Sequence, residues 1–410
     1  MRAFRGAAVL SAATILLLFS MAIPWQPLFQ IAVGLYVLAG LCLLWIANSL
    51  CGLSFERPAP VKRGQVGQTV HDAFELANRA AMPKLGLEIR DHSTLPGHHA
   101  SSVLNLAPRC REQGAVDTIS ELRGLYTLGP TAAAASDPFE LFTLERRIGP
   151  SSELLIYPEI VDLGGFAVPG TIVTEGTRRR RPTQVQTLDP AGTRPYVYGD
   201  SQRRIHWLSS AHAGQLMVKE FEFTPAADIW IFLDLESGVH VGSGVHSTEE
   251  YAVTAAASVA AHYLANGRAV GLIASSRSEE VLLADRGDRQ LIRTLETLAL
   301  VQANGRVPLR EVLWAERPRL GRSSTAVVVS PSTDEHWAGV LAQIQHGGAR
   351  TAALLVEAAT FGPAPAATMQ VAALTSGGVP TYLIKRSASI REGILEGLLL
   401  GSWEPGARSR

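Results

Sequence analysis

The sequence predicts a membrane-anchored α+β chain of several domains: a two-helix transmembrane hairpin, then a β-sandwich, then a doubly wound α/β domain. Three observations predict it. No Asp, Glu, Lys or Arg occurs from Gly6 to Phe55, in a chain where 18% of residues are charged. Short β-rich segments broken by Gly and Pro follow, and from Ile229 onward apolar strands alternate with amphipathic helices.

The uncharged stretch holds two runs, 7–23 and 28–51, each close to the ~20 apolar residues that a helix needs to cross a hydrocarbon core. Pro24-Trp25-Gln26-Pro27 between them supplies two helix breakers and an interfacial aromatic ring, so residues 1–54 read as a hairpin. A cleavable signal peptide is the competing reading, but a second uncharged span follows at once and acts as a stop-transfer segment. Arg2 and Arg5 precede the first run and Arg57, Lys62 and Arg63 follow the second, so the positive-inside rule places both flanks, and the soluble bulk, in the cytoplasm. The expected location is therefore the cytoplasmic (inner) membrane, with a multi-pass anchor. Of three cysteines only Cys110 lies outside the hairpin, which excludes a disulfide framework or a thiolate zinc site. With 37 basic and 37 acidic side chains, no net charge advertises a nucleic-acid partner.

Residues 55–163 read as a small antiparallel sandwich: Leu85 to Ile89 and Ser152 to Tyr157 are among its strands, and the Gly and Pro residues around Gly124–Pro130 and Ser136–Phe139 are turn geometry. His92, His98 and His99 fall in a Gly/Pro loop without ligand spacing and read as solvent-exposed. Residues 164–227 form a connector carrying Arg178-Arg179-Arg180-Arg181, either a solvated loop or a contact for anionic headgroups. In 228–404, strands are expected at Ile229 to Leu233, Ala269 to Ala274, Thr325 to Val329, Thr351 to Val356 and Thr381 to Ile384. A helix opens at Ser247 with Glu250 in capping-box spacing and closes at Gly267; others are expected over Arg289 to Ala303, Glu335 to Gln345 and near Ile390 to Leu400. Such alternation implies a parallel, doubly wound sheet. Gly242-Ser243-Gly244 lacks dinucleotide-loop spacing and reads as a flexible connection.

The densest chemistry lies in Arg194-Pro195-Tyr196-Val197-Tyr198-Gly199-Asp200-Ser201-Gln202-Arg203-Arg204-Ile205-His206-Trp207, continuing through Ser210-Ala211-His212-Ala213-Gly214 to Lys219-Glu220-Phe221. This block resembles the signature of the DUF58 family of bacterial proteins, in which Arg-x-Tyr-x-x-Gly-Asp leads to Arg-x-Ile-x-Trp and Ser-Ala-Arg-x-Gly. The two leading spans, Arg123-Gly124-x-Tyr126-x-x-Gly129-Pro130, Asp137-Pro138-Phe139, and a strand ending in Asp234 extend the resemblance. The chain departs from it at Leu208 and His212, where the family carries basic residues.

Read as chemistry, Tyr196 and Trp207 offer broad amphipathic faces, while Arg194, Arg203 and Arg204 can pair bidentately with Asp200 or Glu220. The block is then an interdomain clamp or a partner-docking surface, with Gly199-Asp200 in a turn and Asp200 or Ser201 capping the following helix. His206 with Asp200 would suit general-base chemistry, but no nucleophile elbow, zinc motif or Walker loop accompanies it, so the chain is not expected to be an enzyme. The resemblance implies that the C-terminal sheet is like a von Willebrand factor A domain, whose first strand ends in Asp-x-Ser-x-Ser and holds Mg²⁺. Here that segment is Asp234-Leu235-Glu236-Ser237-Gly238, and the later loop reads Ser330-Pro331-Ser332-Thr333-Asp334, so Asp234 and Glu236 are weak ligand candidates and no cofactor is expected. The resemblance further implies a MoxR-type AAA+ ATPase as cytosolic partner, with the bilayer as the other contact. The expected function is a non-enzymatic, membrane-tethered scaffold in envelope or complex assembly; a Mg-dependent adhesion module and a hydrolase using His206 are the alternatives.

Overall fold

The computed structural model describes residues 3–23, 25–58, 61–164, 166, 168, 186–197, 205–223, 228–277, 279–386 and 390–393, with the backbone alone at 3–4, 186–194 and 219–223. They form an α+β protein whose two compact units are Met1–Tyr157 and Pro158–Arg410.

The first unit opens with α1 (Ala3–Ala22) and α2 (Gln26–Leu50), both long and apolar enough to cross a membrane. Pro27 stands in the first turn of α2, where its missing N–H costs no intrahelical bond. Small residues let the two helices approach: Ala13, Ala32 and Ala39 are buried, and Thr14 Oγ1 shares a 2.8 Å hydrogen bond with Tyr36 Oη. Leu18, Leu41 and Leu44 stay exposed on the outer faces.

The strands of this unit are β1 (Leu53–Glu56), β2 (Arg63–Gln65), β3 (Thr69–Asn78), β4 (Lys84–Asp91), β5 (Ser102–Leu106), β6 (Arg111–Ile119), β7 (Gly124–Leu128), β8 (Thr131–Ser136), β9 (Thr143–Arg147) and β10 (Ser152–Tyr157). They pair as three small sheets, β1-β3-β6, β2-β10-β7 and β5-β4-β8-β9, antiparallel throughout except for β2 with β10. The expected break between hairpin and sandwich at 54/55 is bridged. Ile46 and Leu50, at the end of α2, are buried in one core with Phe55, Phe74, Leu76, Leu87 and Ile89. The buried Lys84 ammonium donates to the carbonyl of Asn48, and Arg146 Nη1 donates to that of Leu50 at 3.3 Å, so two cations satisfy carbonyls that the helix end leaves unpaired.

In the second unit, residues just after Tyr157 already belong to the α/β layer. Val161 N–H donates to Ser258 Oγ at 2.9 Å and Val168 N–H to Tyr263 Oη at 3.2 Å. The buried Phe166 ring meets those of Tyr263 and Tyr382 edge-on. The elements that follow are β11 (Gln186–Pro195), α3 (Trp207–Ala213), β12 (Met217–Phe223), β13 (Ile229–Asp234), β14 (Gly242–Ser243), β15 (His246–Ser247), α4 (Thr248–Ala265), β16 (Val270–Ser275), β17 (Glu279–Asp285), α5 (Asp288–Leu300), α6 (Leu309–Glu316), β18 (Thr325–Ser330), α7 (Glu335–His346), β19 (Arg350–Val356), α8 (Thr368–Ser376) and β20 (Thr381–Ile384). The main sheet runs β17-β16-β13-β18-β19-β20. Five strands are parallel and β17 is antiparallel to β16, which adds an edge strand that apolar alternation did not announce.

The parallel strands are apolar on both faces because helices cover both. Trp230, Phe232, Ala326, Val328 and Leu355 pack with Leu313, Trp337, Leu341 and Leu374 of α6, α7 and α8. The opposite side carries the alanine-rich α4, whose Ala252, Ala255, Ala256 and Ala260 are fully buried. The Ser247 cap is present: its side chain accepts from Glu250 N–H at 3.2 Å. Gly242-Ser243-Gly244, expected to be a flexible connection, is half of a tight hairpin in which Gly242 faces Ser247 and Ser243 faces His246. Gly242 has φ +90°, and a Cβ there would stand 2.4 Å from the His246 carbonyl oxygen. Of the expected last helix, 390–393 is helical and the rest lies outside the described residues, as does the four-arginine run.

Candidate functional site

The signature block folds into a small β–α–β unit. β11 and β12 pair antiparallel with Arg194 opposite Val218, Tyr196 N–H donates to Leu216 O at 2.8 Å, and Ile205 bridges to Val218. Gly199, Asp200, Arg203 and Arg204 lie outside the described residues, and the side chain of Arg194 is likewise not described. The α3 cap is supplied by His206 rather than by Asp200 or Ser201: its Nδ1 accepts from Ser209 N–H at 3.2 Å and pairs with Ser209 Oγ at 2.7 Å. A ring nitrogen so occupied holds a helix end, and Ser210 Oγ meanwhile accepts from Met217 N–H at 2.8 Å. Among the described residues the block exposes four large apolar side chains beside the polar His212 and Gln215: Val197, Trp207, Leu208 and Leu216 are 61%, 69%, 70% and 45% accessible.

The second locus is the carboxyl end of β13 and β18, where the sheet reverses its winding direction and open α/β sheets commonly bind ligands. Asp234 is 1% exposed. Its Oδ2 accepts from Ser330 Oγ at 2.6 Å and its Oδ1 from Glu236 N–H at 3.1 Å. Burial pushes its carboxyl up to about 6, against the opposing pull of those two donors. His240 Nε2 lies 2.9 Å from the Asp234 carbonyl, while its Nδ1 meets the buried Thr248 hydroxyl at 3.1 Å. Beside this end, Gly305 N–H donates to Leu235 O and Ser237 N–H to Gly305 O; a Cβ at Gly305 would stand 2.4 Å from Ser275 O.

These residues do not fit Mg²⁺. Both Asp234 oxygens already accept protein donors, and among the described residues no three His, Cys, Asp or Glu side chains gather as a metal shell. Asp334, in the loop after β18, caps α7 by accepting from His336 N–H at 3.1 Å. Ser330 is the partner that the sequence did not reveal, since nothing local links positions 96 residues apart.

A third constellation corrects the reading of the histidine loop. His92 and His99 are exposed, but His98 is buried with Arg57, Asp72 and Asp91. Arg57 Nε donates to Asp72 at 3.0 and 3.1 Å, and its Nη2 to Asp91 at 3.4 Å. His98 Nε2 sits 3.4 Å from Asp91 and 3.6 Å from Asp72, while Nδ1 meets Thr118 Oγ1 at 2.9 Å. The two carboxylates hold the His98 imidazolium up to about 9, with burial opposing them. Gly129 (φ +85°), in one of the quoted landmarks, makes room: a Cβ there would stand 2.9 Å from Arg57 Nη1. Asp137 in the other landmark pins its turn by accepting from Leu141 N–H at 2.7 Å and Phe142 N–H at 3.0 Å. Two cations balancing two acids, drawn from four segments of the chain, make a core clamp.

The family described as "Protein of unknown function DUF58" matches residues 192–360, from the β11–β12 unit through the Asp234 end of the sheet. The uncharacterized protein YeaD of Bacillus subtilis (strain 168) is 25% identical over 169 residues, 41% of this chain and 39% of its own length. The uncharacterized protein Rv1480 of Mycobacterium tuberculosis (strain ATCC 25618 / H37Rv) is 24% identical over 146 residues, 35% of this chain and 46% of its own. The matches thus span less than half the length of these relatives. Among solved structures, the CARDB domain of PF1109 from Pyrococcus furiosus is similar at 11% identity over 26% of this chain and 94% of that one, with a TM-score of 0.21, too low to bear on fold or function.

Proposed function

We propose that this chain is a non-enzymatic interaction protein, tethered to the cytoplasmic membrane by α1 and α2, whose α/β unit docks a cytosolic partner. The observation that carries this reading is the exposed apolar set Val197, Trp207, Leu208 and Leu216, inside the DUF58-matched stretch. Leu208, where the family signature has a basic residue, enlarges that apolar surface rather than charging it. The sheet order, with an antiparallel edge strand and an acid closing the central strand, supports a von Willebrand A-like module. A MoxR-type AAA+ ATPase is the partner that the resemblance implies, and the chain itself carries no Walker loop to hydrolyse nucleotide. Trp25 and Trp45 lie 20 residues apart on the second helix segment, and at about 1.5 Å per residue that distance equals the ~30 Å hydrocarbon thickness that interfacial aromatics bracket.

The test is photo-cross-linking of the detergent-purified full chain to a MoxR-type ATPase. A cross-linking amino acid at position 207 is expected to give an ATP-dependent adduct, and one at Ile119 in the other unit none. Trp207→Ala is expected to weaken capture at least ~10-fold with unchanged thermal unfolding, the pattern of a central aromatic anchor. Equal adducts at both positions, or capture unaffected by the substitution, would remove the basis for the docking surface.

A further inference from the structure

The turn between β8 and β9 lies against the hairpin rather than away from it. Arg5 Nη1 pairs with Glu140 at 3.2 Å, and a Cβ on Gly6 would stand 2.3 Å from Phe142 Cε1 and 2.8 Å from Leu141 O, so the 140–142 backbone is pressed onto the first turns of α1. Cys42 on α2 is buried as well. Gly6 and Cys42 each lie about 18 residues from position 24 at the hairpin bend, or ~27 Å along the helix axes.

That distance is the decisive quantity. With the bend at one face of a ~30 Å hydrocarbon core, a turn packed ~27 Å away along the helices arrives at the opposite hydrocarbon boundary. At that depth the turn presents Phe139, 62% exposed, and the neighbouring β9 position presents Leu144, 56% exposed. Asp137 fixes the turn that carries Phe139 through its bonds to Leu141 and Phe142 N–H, and pairing of β9 with β8 fixes Leu144 opposite Ala135. Water is a poor environment for them, while the headgroup boundary suits an aromatic ring and a Leu.

We infer that the 137–144 turn is a second membrane contact, a foot that inserts Phe139 and Leu144 into the cytoplasmic leaflet at the level of the glycerol groups, with lipid as the occupant. The inference rests on the reading that α1 and α2 cross a bilayer. Arg5, fixed beside the foot by Glu140, and Arg79, on the loop next to the end of α2 and paired with Glu56, stand where headgroup phosphates would lie. A bilayer is favoured over a protein partner because the turn that carries these apolar groups packs against α1, a helix long and apolar enough to cross a membrane.

The experiment uses the full chain in vesicles of phosphatidylcholine and phosphatidylglycerol, with an environment-sensitive fluorescent amino acid placed singly at positions 139, 144, 119, 18 or 41. Ile119 is equally exposed at 62% but lies at the far end of β6, about eight residue steps or ~27 Å from Arg111, whose end of the strand adjoins the helices. Lipid brominated high on the acyl chain is expected to quench positions 139 and 144 at least ~3-fold more than position 119. Quenching at 18 and 41 with 139 and 144 no different from 119 would overturn the foot and leave the anchor standing. No quenching at any position would overturn both. Phe139 and Leu144 lie outside the packed core, so the probes leave it intact, and agreement between the two positions guards against a local artefact at either.

Discussion

Asp72 and Asp91 in the N-terminal unit and Asp234 in the C-terminal unit are withdrawn from water to the same degree, yet their surroundings differ completely. The first two are ringed by Arg57 and His98 at 3.0–3.6 Å. Asp234 makes no ion pair among the described residues and relies on one hydroxyl and one backbone N–H. A compensated cluster offsets its own desolvation and serves architecture. An acid left without a counter-charge at the carboxyl end of a parallel sheet weakens the fold that keeps it and makes that fold sensitive to its protonation.

The comparison breaks most sharply at Arg57. Arg57→Ala leaves two buried carboxylates facing His98 alone, and a loss of about 3–5 kcal/mol from the N-terminal unit is expected, read by hydrogen exchange of that unit. A loss below about 1 kcal/mol would mean that the cluster does not clamp the core.

The two sites also predict separate pH windows. His98 is raised from 6.5 to about 9, so its contribution is complete below pH 6.5 and drains away as pH rises through 9. Asp234 is raised from 3.8 to about 6, so the folded state keeps its proton longer than the unfolded chain does. That penalty is absent below pH 3.8 and fully developed above pH 6. Asp234→Asn is expected to stabilise the C-terminal unit at pH 8 by about 3 kcal/mol, the gain fading as pH falls towards 4. Denaturant titrations at several pH values measure it, and a pH-independent gain would disprove the proton linkage.

The smallest effect sharpens the same contrast. Ser330→Ala removes the shorter of the two hydrogen bonds to Asp234 and is expected to cost about 1–2 kcal/mol at pH 8, while moving the midpoint of the acid above 6. Identical losses at pH 4.5 and pH 8 would show that the serine serves packing alone.

Much of the architecture was legible because it is written in short-range pattern. The uncharged stretch gave α1 and α2, the Ser247–Glu250 spacing gave the start of α4, and unbroken apolar runs gave β13, β18, β19 and β20. Short helices after Pro308 and in 368–376 escaped because Gly and Pro around them mask a turn or two of periodicity. The buried sites were illegible for another reason. Arg57 meets residues 15 and 34 positions away, and Asp234 one 96 away, so their partners are decided by sheet topology rather than by neighbours in sequence. His98 looked like loop because Gly97 and Pro96 flank it, whereas its ring turns inward between two strands' acids. The signature block was readable as a unit, but its helix cap was assigned to the wrong residue: a ring nitrogen can substitute for the Ser or Asp that capping statistics favour.

The last turn of α2 shares a buried core with the strands that follow the Cys51–Gly52 turn, which stiffens the joint between them. A swivelling linker would uncouple the strands from the hairpin; a helix whose last turn is also part of that core makes it a lever. If the hairpin is the anchor proposed above, bilayer thinning that leaned it by ~10° would sweep the far end of β6, some 27 Å out, through ~5 Å, and membrane thickness would become a mechanical input to this protein.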